Sequence, residues 1–343
     1  VSFKMFDYLY ELCALNGVSG REETVRRYIE EKIRGKAEIK VDALGNLIAF
    51  VKGKKRAKHK VMLDAHMDEV GLIITNICDD GSLKFATVGG IETPVLMART
   101  VVIGDKVTGV ISTKPIHLVS KDEAKKLPEK DSLYIDIGAA SKTEAETLVS
   151  VGDVAAFQPN RICEGDTVVT KALDDRAGCA AIIDIINSEP EYDFYASFSV
   201  LEEVGAGARA AAYGIDPEYA IVLESTTAAD LRGVPSEKQV CKKTEGAVIS
   251  FMDHGTLYDH DLFNATLKAA KENGIPCQVK SAVAGGNNAA GIHTTRAGVK
   301  TIAISVPCRY IHSPSSAADK NDILAVRDLA RVMLSKMASG ELE

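Results

Sequence analysis

The chain has 343 residues, of which 46% are hydrophobic and 26% charged, and its formal net charge is -7 at pH 7. The negative charge excludes nucleic acid and anionic membrane surfaces as main partners, because both require a basic face that releases counterions. A length beyond the ~250–300 residues at which one hydrophobic core stops growing predicts a large domain and a smaller one.

Two helices are predicted at the start of the chain. Residues 5–15 have helical spacing of apolar side chains, and Ser19 with Glu22 three positions later forms a capping-box pattern ahead of a second helix. Apolar runs on both sides of the basic stretch 52–60 predict two strands. The basic stretch itself is expected to form an exposed hairpin tip, with a docking patch as the alternative.

The middle and the C-terminal half of the chain have different patterns. Residues 70–157 contain short strand-like runs separated by Gly and Asp, without long helices, which predicts a small β-barrel. From residue 167 onward, strands alternate with helices, which predicts a mostly parallel sheet with helices on both faces. We therefore predict an α/β domain, built from the N-terminal segment and the C-terminal half, that is interrupted by a small β domain.

The cysteines and the chain start bear on location. The seven cysteines are scattered without a Cys-x-x-Cys pair, which is typical of reduced intracellular proteins and argues against a thiolate metal site. The first seven residues are too polar for a signal peptide, and no apolar run reaches the ~18–20 residues of a membrane span. We expect a cytoplasmic protein.

Acidic and imidazole side chains follow five of the predicted strands. In chain order they are His66 and Asp68, Asp174, Glu202 and Glu203, Glu224, and His312. Because functional groups collect at the carboxyl ends of parallel strands, we expect these side chains to lie close together. Carboxylates gathered in this way repel one another unless cations neutralise them. Two histidines with several carboxylates and no cysteine favour zinc, cobalt or manganese in a hydrolytic site.

Each of these residues alone also has an ordinary structural interpretation. A single histidine at a strand end is usually a satisfied polar group, and the pair Asp174 and Asp175 could cap a helix. The joint occurrence at five strand ends is what indicates metal binding. The spacing of His66 and Asp68 further predicts that the carboxylate of Asp68 accepts a hydrogen bond from the ring nitrogen of His66 that does not face the metal.

Four stretches resemble the motifs of the tetrahedral, self-compartmentalising metallo-aminopeptidases, metallopeptidase family 42, which includes glutamyl and deblocking aminopeptidases. They are DAHMDEVG at 64–71, ALDDRAG at 172–178, EEVG at 202–205 and RYIHSP at 309–314. The resemblance implies a zinc-peptidase-like catalytic domain at 1–68 and 159–343. It also implies an inserted β-barrel domain at 69–158 that serves oligomerisation, in a dimer-based assembly as large as a dodecamer.

The same resemblance implies a role for each site residue. Asp174 would bridge two metals, His66 and Glu224 would complete one site, and Glu203 and His312 would complete the other. Glu202 would be the general base. Two positions depart from the family pattern: Asn288 stands where the family usually has Asp, and Glu224 stands where most members carry Asp.

Together with the resemblance, these residues predict an aminopeptidase acting on peptide substrates through two divalent ions, zinc or cobalt first and manganese next. Two metals ~3.5–4 Å apart would generate a bridging hydroxide and polarise the scissile carbonyl, and Glu202 would shuttle the proton. Two alternatives remain open. GAGARA at 205–210 follows a strand, opens a helix and precedes Glu224 by about 20 residues, as in NAD-dependent oxidoreductases. A glycoside hydrolase of the endoglucanase type would need only two carboxylates.

Overall fold

The computed structural model describes residues 2–122, 125–205 and 207–342. The helices within this part of the chain are α1 Ser2–Ala14, α2 Glu23–Lys32, α3 Thr93–Leu96, α4 Lys142–Glu146, α5 Leu173–Asn187, α6 Gly207–Ile215, α7 His260–Glu272, α8 Ala289–Ile292 and α9 Lys320–Ser339. The first strands are β1 Glu38–Val41, β2 Leu47–Val51, β3 Val61–His66, β4 Gly71–Ile77, β5 Leu83–Val88, β6 Thr100–Ile103, β7 Val107–Ser112, β8 Tyr134–Asp136 and β9 Val154–Phe157. The remaining strands are β10 Arg161–Glu164, β11 Thr167–Thr170, β12 Phe194–Ser199, β13 Tyr219–Thr227, β14 Ala247–Ile249, β15 Cys277–Val279, β16 Lys300–Cys308 and β17 Ser316–Asp319.

The central sheet of the described residues has eight strands in the order β1-β2-β12-β3-β13-β16-β14-β15. Its middle strands, β12, β3, β13 and β16, are parallel, and β14 and β15 are parallel to each other. The pairs β1–β2, β2–β12 and β14–β16 are antiparallel. Every side chain of β3 is buried. Burial along a whole strand is expected where helices cover both faces of a parallel sheet. The predicted α/β fold class is confirmed.

A closed barrel interrupts this domain. Its strands follow the order β4-β5-β8-β7-β6-β9, with antiparallel pairing throughout. It has a separate hydrophobic core that includes Leu72, Ile103, Ile135 and Phe157. Short strand-like runs separated by Gly and Asp, without long helices, predict a small barrel, and closure of the barrel leaves no exposed strand edge. The predicted inserted β-barrel is confirmed.

The basic stretch 52–60 is not a hairpin tip, so that prediction is wrong. β12 lies between β2 and β3 in the sheet, so residues 52–60 connect two strands that do not pair with each other. Its charges meet acidic residues just before β12: Lys55 Nζ lies 2.6 Å from Glu191 Oε1, and Arg56 Nη1 lies 2.6 Å from Asp193 Oδ2. Part of the local positive charge is therefore neutralised within the chain.

Two further predictions are corrected by longer-range contacts. Helix α2 begins at Glu23 and Ser19 does not cap it; the Ser19 hydroxyl instead donates to Asp68 Oδ2 at 2.6 Å. The strand at 167–170 exists, but it belongs to a small sheet of the order β10-β11-β17 and not to the central sheet. Among the described residues, none of the helices combines the length and the apolar composition that crossing a bilayer would need.

Candidate metal centre

His66 is the last residue of β3 and is fully buried. Its Nε2 lies 3.3 Å from Asp174 Oδ1 and 3.5 Å from Glu224 Oε1. Its Nδ1 lies 3.1 Å from the backbone carbonyl oxygen of Asp68 and 3.4 Å from the Oδ1 of the same residue. The ring is therefore held from one side, and its second nitrogen faces two carboxylates. The expected partner, Asp68, holds the ring mainly through its backbone.

Asp174 lies between the two histidines. It sits at the start of α5, where its φ of -84° and ψ of 108° are not helical and its peptide bond to Asp175 is cis. Oδ1 faces His66 Nε2 at 3.3 Å, and Oδ2 faces His312 Nε2 at 3.4 Å. One carboxylate thus presents an oxygen to each imidazole, which is the arrangement of a bridging ligand.

Two groups of possible ligands share Asp174. One contains His66, Asp174 and Glu224, and the other contains Asp174, Glu203 and His312, with ligand atoms within 4.8 Å of one another in each group. Glu203 Oε2 lies 3.3 Å from His312 Nε2. These five residues are far apart in the sequence, and the folded chain brings all five predicted ligands together.

The elements that carry the ligands differ from expectation in two places. Glu224 lies inside β13, which continues to Thr227, and not at its end. Asp174 follows β11 of the small sheet, so it approaches the centre from outside the central sheet. His312 follows β16 and adopts a φ of 58°, and its Nδ1 lies 2.8 Å from the Gly90 carbonyl oxygen of the barrel.

The protonation pattern shows how unfavourable this cluster is without cations. Burial, together with the charge of Asp174, raises the pKa of Glu203 to about 8 and that of Glu224 well above its usual range. Burial lowers the pKa of His312, but the hydrogen bond to Asp174 and the charge of Glu203 outweigh it and raise the pKa to about 9. Glu224 Oε2 is buried and has no hydrogen-bond partner. Buried oxygens of this kind are the ligands that a divalent ion requires.

Glu202 belongs to neither ligand group, although it lines the same cavity. It opens the 3-10 turn Glu202–Val204, and the backbone N–H groups of Glu202 and Glu203 donate to Asp68 Oδ1 and Oδ2, each at 3.1 Å. Burial raises the pKa of Glu202 to about 7. Asp68 therefore holds both the ring of His66 and the turn that presents Glu202, a role that the spacing alone did not reveal.

Asn288, one of the two family departures, is buried behind the site. Its Nδ2 donates to Asp64 Oδ2 and to Ser199 Oγ, both at 2.8 Å. It is not among the residues that line the cavity. The amide therefore contacts β3 and β12 and not the cavity. Asn288 and Asp64 are 224 positions apart, so the sequence gives no local signal for this contact.

Gly207 of the dinucleotide-like motif GAGARA at 205–210 has a packing explanation. Ala206 lies outside the described residues, and Gly207 begins α6. A Cβ at Gly207 would collide with the Val200 carbonyl oxygen, so glycine is required for the helix to approach the strand. The adjacent Glu202 and Glu203 would repel a pyrophosphate. Packing thus accounts for Gly207 without a nucleotide.

Comparison with known proteins gives one consistent result. Residues 45–329 match the family model described as M42 glutamyl aminopeptidase. The lysyl aminopeptidase of Pyrococcus furiosus is 35% identical over 338 residues, which cover 94% of each protein. An aminopeptidase from the archaeon Desulfurococcus kamchatkensis has a TM-score of 0.93 at 32% identity, covering 99% of this chain and 97% of that one. The Pyrococcus horikoshii TET1 peptidase, which can assemble into a tetrahedron or a large octahedral shell, has a TM-score of 0.85 at 35% identity, covering 96% and 98%.

Proposed function

The chain belongs to the M42 glutamyl aminopeptidase family and is a metal-dependent peptide hydrolase, and we propose that it acts through two divalent ions held by the two ligand groups. The membership confirms the resemblance carried by the four motifs. The observation that carries the proposal is Asp174, whose two carboxylate oxygens face different histidines at 3.3 and 3.4 Å. His66 and Glu224 would complete one site, and Glu203 and His312 the other.

The donor set fits divalent ions of the zinc type. Imidazole nitrogens and carboxylate oxygens without thiolates suit zinc and cobalt first and manganese next. The unpartnered Oε2 of Glu224 supports the same assignment, because burial of such an oxygen is costly unless an ion or a proton satisfies it. Glu224 in place of the family's usual Asp leaves this chemistry unchanged, since either carboxylate binds these metals.

When bound, the two ions would supply a nucleophile from water at neutral pH and would polarise the scissile carbonyl group. The residues of the chain do the rest. Glu202 accepts a proton from the attacking water and returns it to the leaving amine nitrogen, and its raised pKa of about 7 suits both directions of transfer. Asp68 keeps Glu202 in place by accepting a hydrogen bond from the backbone N–H of Glu202. Asp68 also fixes the ring of His66.

The reaction removes the N-terminal residue from a peptide. The cavity beside the ligands is lined by Glu202, Ser225 to Thr227 and the loop 284–287, and its volume is about 180 Å³. An oxidoreductase leaves both histidines unexplained, and a glycoside hydrolase requires neither of them. The peptide-hydrolase function accounts for all the clustered side chains.

The test is a matched pair of neighbouring variants, Glu202→Gln and Glu203→Gln, each assayed with a panel of aminoacyl nitroanilides after reloading with zinc, cobalt or manganese. Glu202→Gln should retain two metals per subunit and lose about 10²–10⁴-fold in turnover. Glu203→Gln should lose metal as well as turnover. Full turnover by a metal-loaded Glu202→Gln protein, or wild-type activity that survives exhaustive chelation, would overturn the assignment, as would cleavage of a cellulosic substrate with no release from the panel.

The barrel is assigned a separate role. We assign residues 1–68 and 159–343 to catalysis and the inserted 69–158 to assembly of a homo-oligomer, built from dimers and as large as a dodecamer. Large apolar side chains exposed on the inserted segment, Val110, Leu118 and Leu127, support an interface there. Light scattering coupled to size-exclusion chromatography tests this, because a monomer at assay concentration would contradict it.

A further inference from the structure

Lys280 lies at the edge of the candidate site. It directly follows β15, and its backbone N–H donates to the Ile249 carbonyl oxygen at 3.0 Å, which continues the pairing with β14. Its side chain is buried. It lines the same cavity as Asp174, Glu203 and Glu224, and among the described residues that line this cavity it is the one lysine or arginine. A fixed cation therefore stands in an otherwise anionic site.

The ammonium group of Lys280 is only partly satisfied by the chain. Nζ donates to the Ala284 carbonyl oxygen at 2.6 Å, which uses one of its three N–H donors. In residues 2–122, 125–205 and 207–342 it forms no ion pair within 4.0 Å. Burial lowers the pKa of Lys280, and the charges of Asp253 and Glu224 only partly oppose this shift. A buried ammonium without a carboxylate partner is unfavourable, so its position requires a reason.

Lys171, another buried lysine of the chain, has the partner that Lys280 lacks. Lys171 Nζ lies 2.7 Å from Glu69 Oε1, and both side chains are almost completely buried. Lys280, in contrast, directs its group toward a cavity that must admit a substrate. Once divalent ions neutralise the ligand carboxylates, those carboxylates would no longer compensate the charge of Lys280. The missing partner is then an anion that arrives with the substrate.

We infer that Lys280 binds a carboxylate of the peptide substrate and thereby selects among peptides, an inference that rests on the proposed aminopeptidase function. The carboxylate could come from the side chain of an acidic N-terminal residue or from the C-terminus of a very short peptide. Both present the same group to the ammonium, and a charge-assisted hydrogen bond of this kind is strong and short. Lys280 is thus a specificity residue and not a metal ligand.

Matched substrate pairs separate the two sources. Glutamyl and glutaminyl nitroanilides differ only in the side-chain carboxylate, and leucyl-glycine and leucyl-glycine amide differ only in the C-terminal carboxylate. In the wild-type protein at least one pair should favour the carboxylate by about 10- to 100-fold in kcat/KM, as expected for a hydrogen bond to a charged group. Lys280→Met and Lys280→Gln should remove that preference, and Lys280→Arg should restore part of it.

A second role of Lys280 must be distinguished, since its bond to Ala284 also holds the loop that lines the cavity. A purely structural role would lower kcat/KM equally for both members of each pair. Binding of the product amino acids, glutamate against glutamine, measured by calorimetry without turnover, gives an independent comparison. Lys242→Met is the matched control, because Lys242 is exposed and pairs with Glu245 at 3.2 Å; its ratios should equal those of the wild type.

The two proposals fail in different ways. A wild-type protein that cleaves leucyl and glutamyl substrates but shows no preference within either pair, and binds glutamate no better than glutamine, would overturn the role of Lys280 alone. This outcome needs no variant, so poor folding of Lys280→Met would not obscure it. A wild-type protein that cleaves no member of the panel in any metal would instead overturn the aminopeptidase function.

Discussion

Two buried clusters of charged side chains flank the loop between β11 and α5, and they are neutralised in different ways. On one side, Lys171 and Arg176 surround Glu69, whose Oε1 lies 2.7 Å from Lys171 Nζ and 3.8 Å from Arg176 Nη2. On the other side, Asp174 meets two further carboxylates and two imidazoles, with no lysine or arginine in either ligand group. The first cluster carries its own counterions, whereas the second depends on cations from solution.

The contacts of the two clusters agree with this difference. Glu69 Oε1 also accepts a hydrogen bond from the Gly17 N–H at 3.0 Å, so the first cluster ties the N-terminal segment to the entry of the barrel. The second cluster leaves Glu224 Oε2 without a partner. Burial of charge therefore indicates a ligand site only where the chain does not supply the opposite charge. Lys171 of the loop belongs to the first cluster, and Asp174 at the start of α5 belongs to the second.

The largest effect is expected from Asp174→Asn, which removes the shared carboxylate. Both ligand groups lose their common member, so the variant should bind neither metal at stoichiometric concentration, and aminopeptidase activity should fall below detection. Metal content by plasma mass spectrometry and release from aminoacyl nitroanilides measure the two losses. The exposed Asp166→Asn is the control and should behave as wild type. If Asp174→Asn retained two metals per subunit, metal binding would not require the shared carboxylate.

A large effect of another kind is expected from Lys171→Met in the self-neutralised cluster. Removing Lys171 takes the nearer counterion from the buried Glu69 and leaves Arg176 at 3.8 Å, so the cost should approach the about 3–5 kcal/mol typical of a broken buried ion pair. Urea unfolding of the metal-free protein should show this loss in the free energy of unfolding, while the folded variant still binds two metals.

The double variant Lys171→Met with Glu69→Gln is the companion measurement. It should be less stable than the single variant, because it leaves the buried guanidinium of Arg176 without the Glu69 carboxylate that faces it. A single variant that keeps wild-type stability but loses metal would show that the two clusters act as one, which is contrary to the comparison drawn above.

The residues of the second cluster can be selected from the sequence because their signal is local. His66 ends an apolar strand, Glu203 follows another, and two-letter patterns of acidic residues mark both Asp174 and Glu203. Each of these side chains has its place fixed by a strand or helix whose apolar spacing can be recognised from a few neighbouring residues. The fold class follows from the same kind of pattern, since an alternation of strands and helices leaves few arrangements of the sheet.

The features that the sequence does not predict are those fixed by distant contacts. Ser19 forms part of a helix-capping pattern, yet its hydroxyl is taken by Asp68, 49 positions away. Neighbouring strands usually pair, which favours a hairpin at 52–60, but β12 arrives from more than 130 positions downstream and pairs with both. Lys280 carries no motif at all, and its burial beside Glu224 depends on where β15 joins the sheet.

The smallest effect is expected from Arg56→Met, which removes one partner of an ion pair at the surface. Arg56 Nη1 lies 2.6 Å from Asp193 Oδ2, but the arginine side chain is 56% exposed. Water and salt screen such a pair and can solvate Asp193 once the arginine is gone, so the free energy of unfolding should fall by less than about 1 kcal/mol. Urea unfolding beside Lys171→Met tests this directly, because the two variants remove a similar ion pair at different depths. A loss as large as that of Lys171→Met would mean that burial is not what separates the clusters, and that the geometry of each pair decides instead.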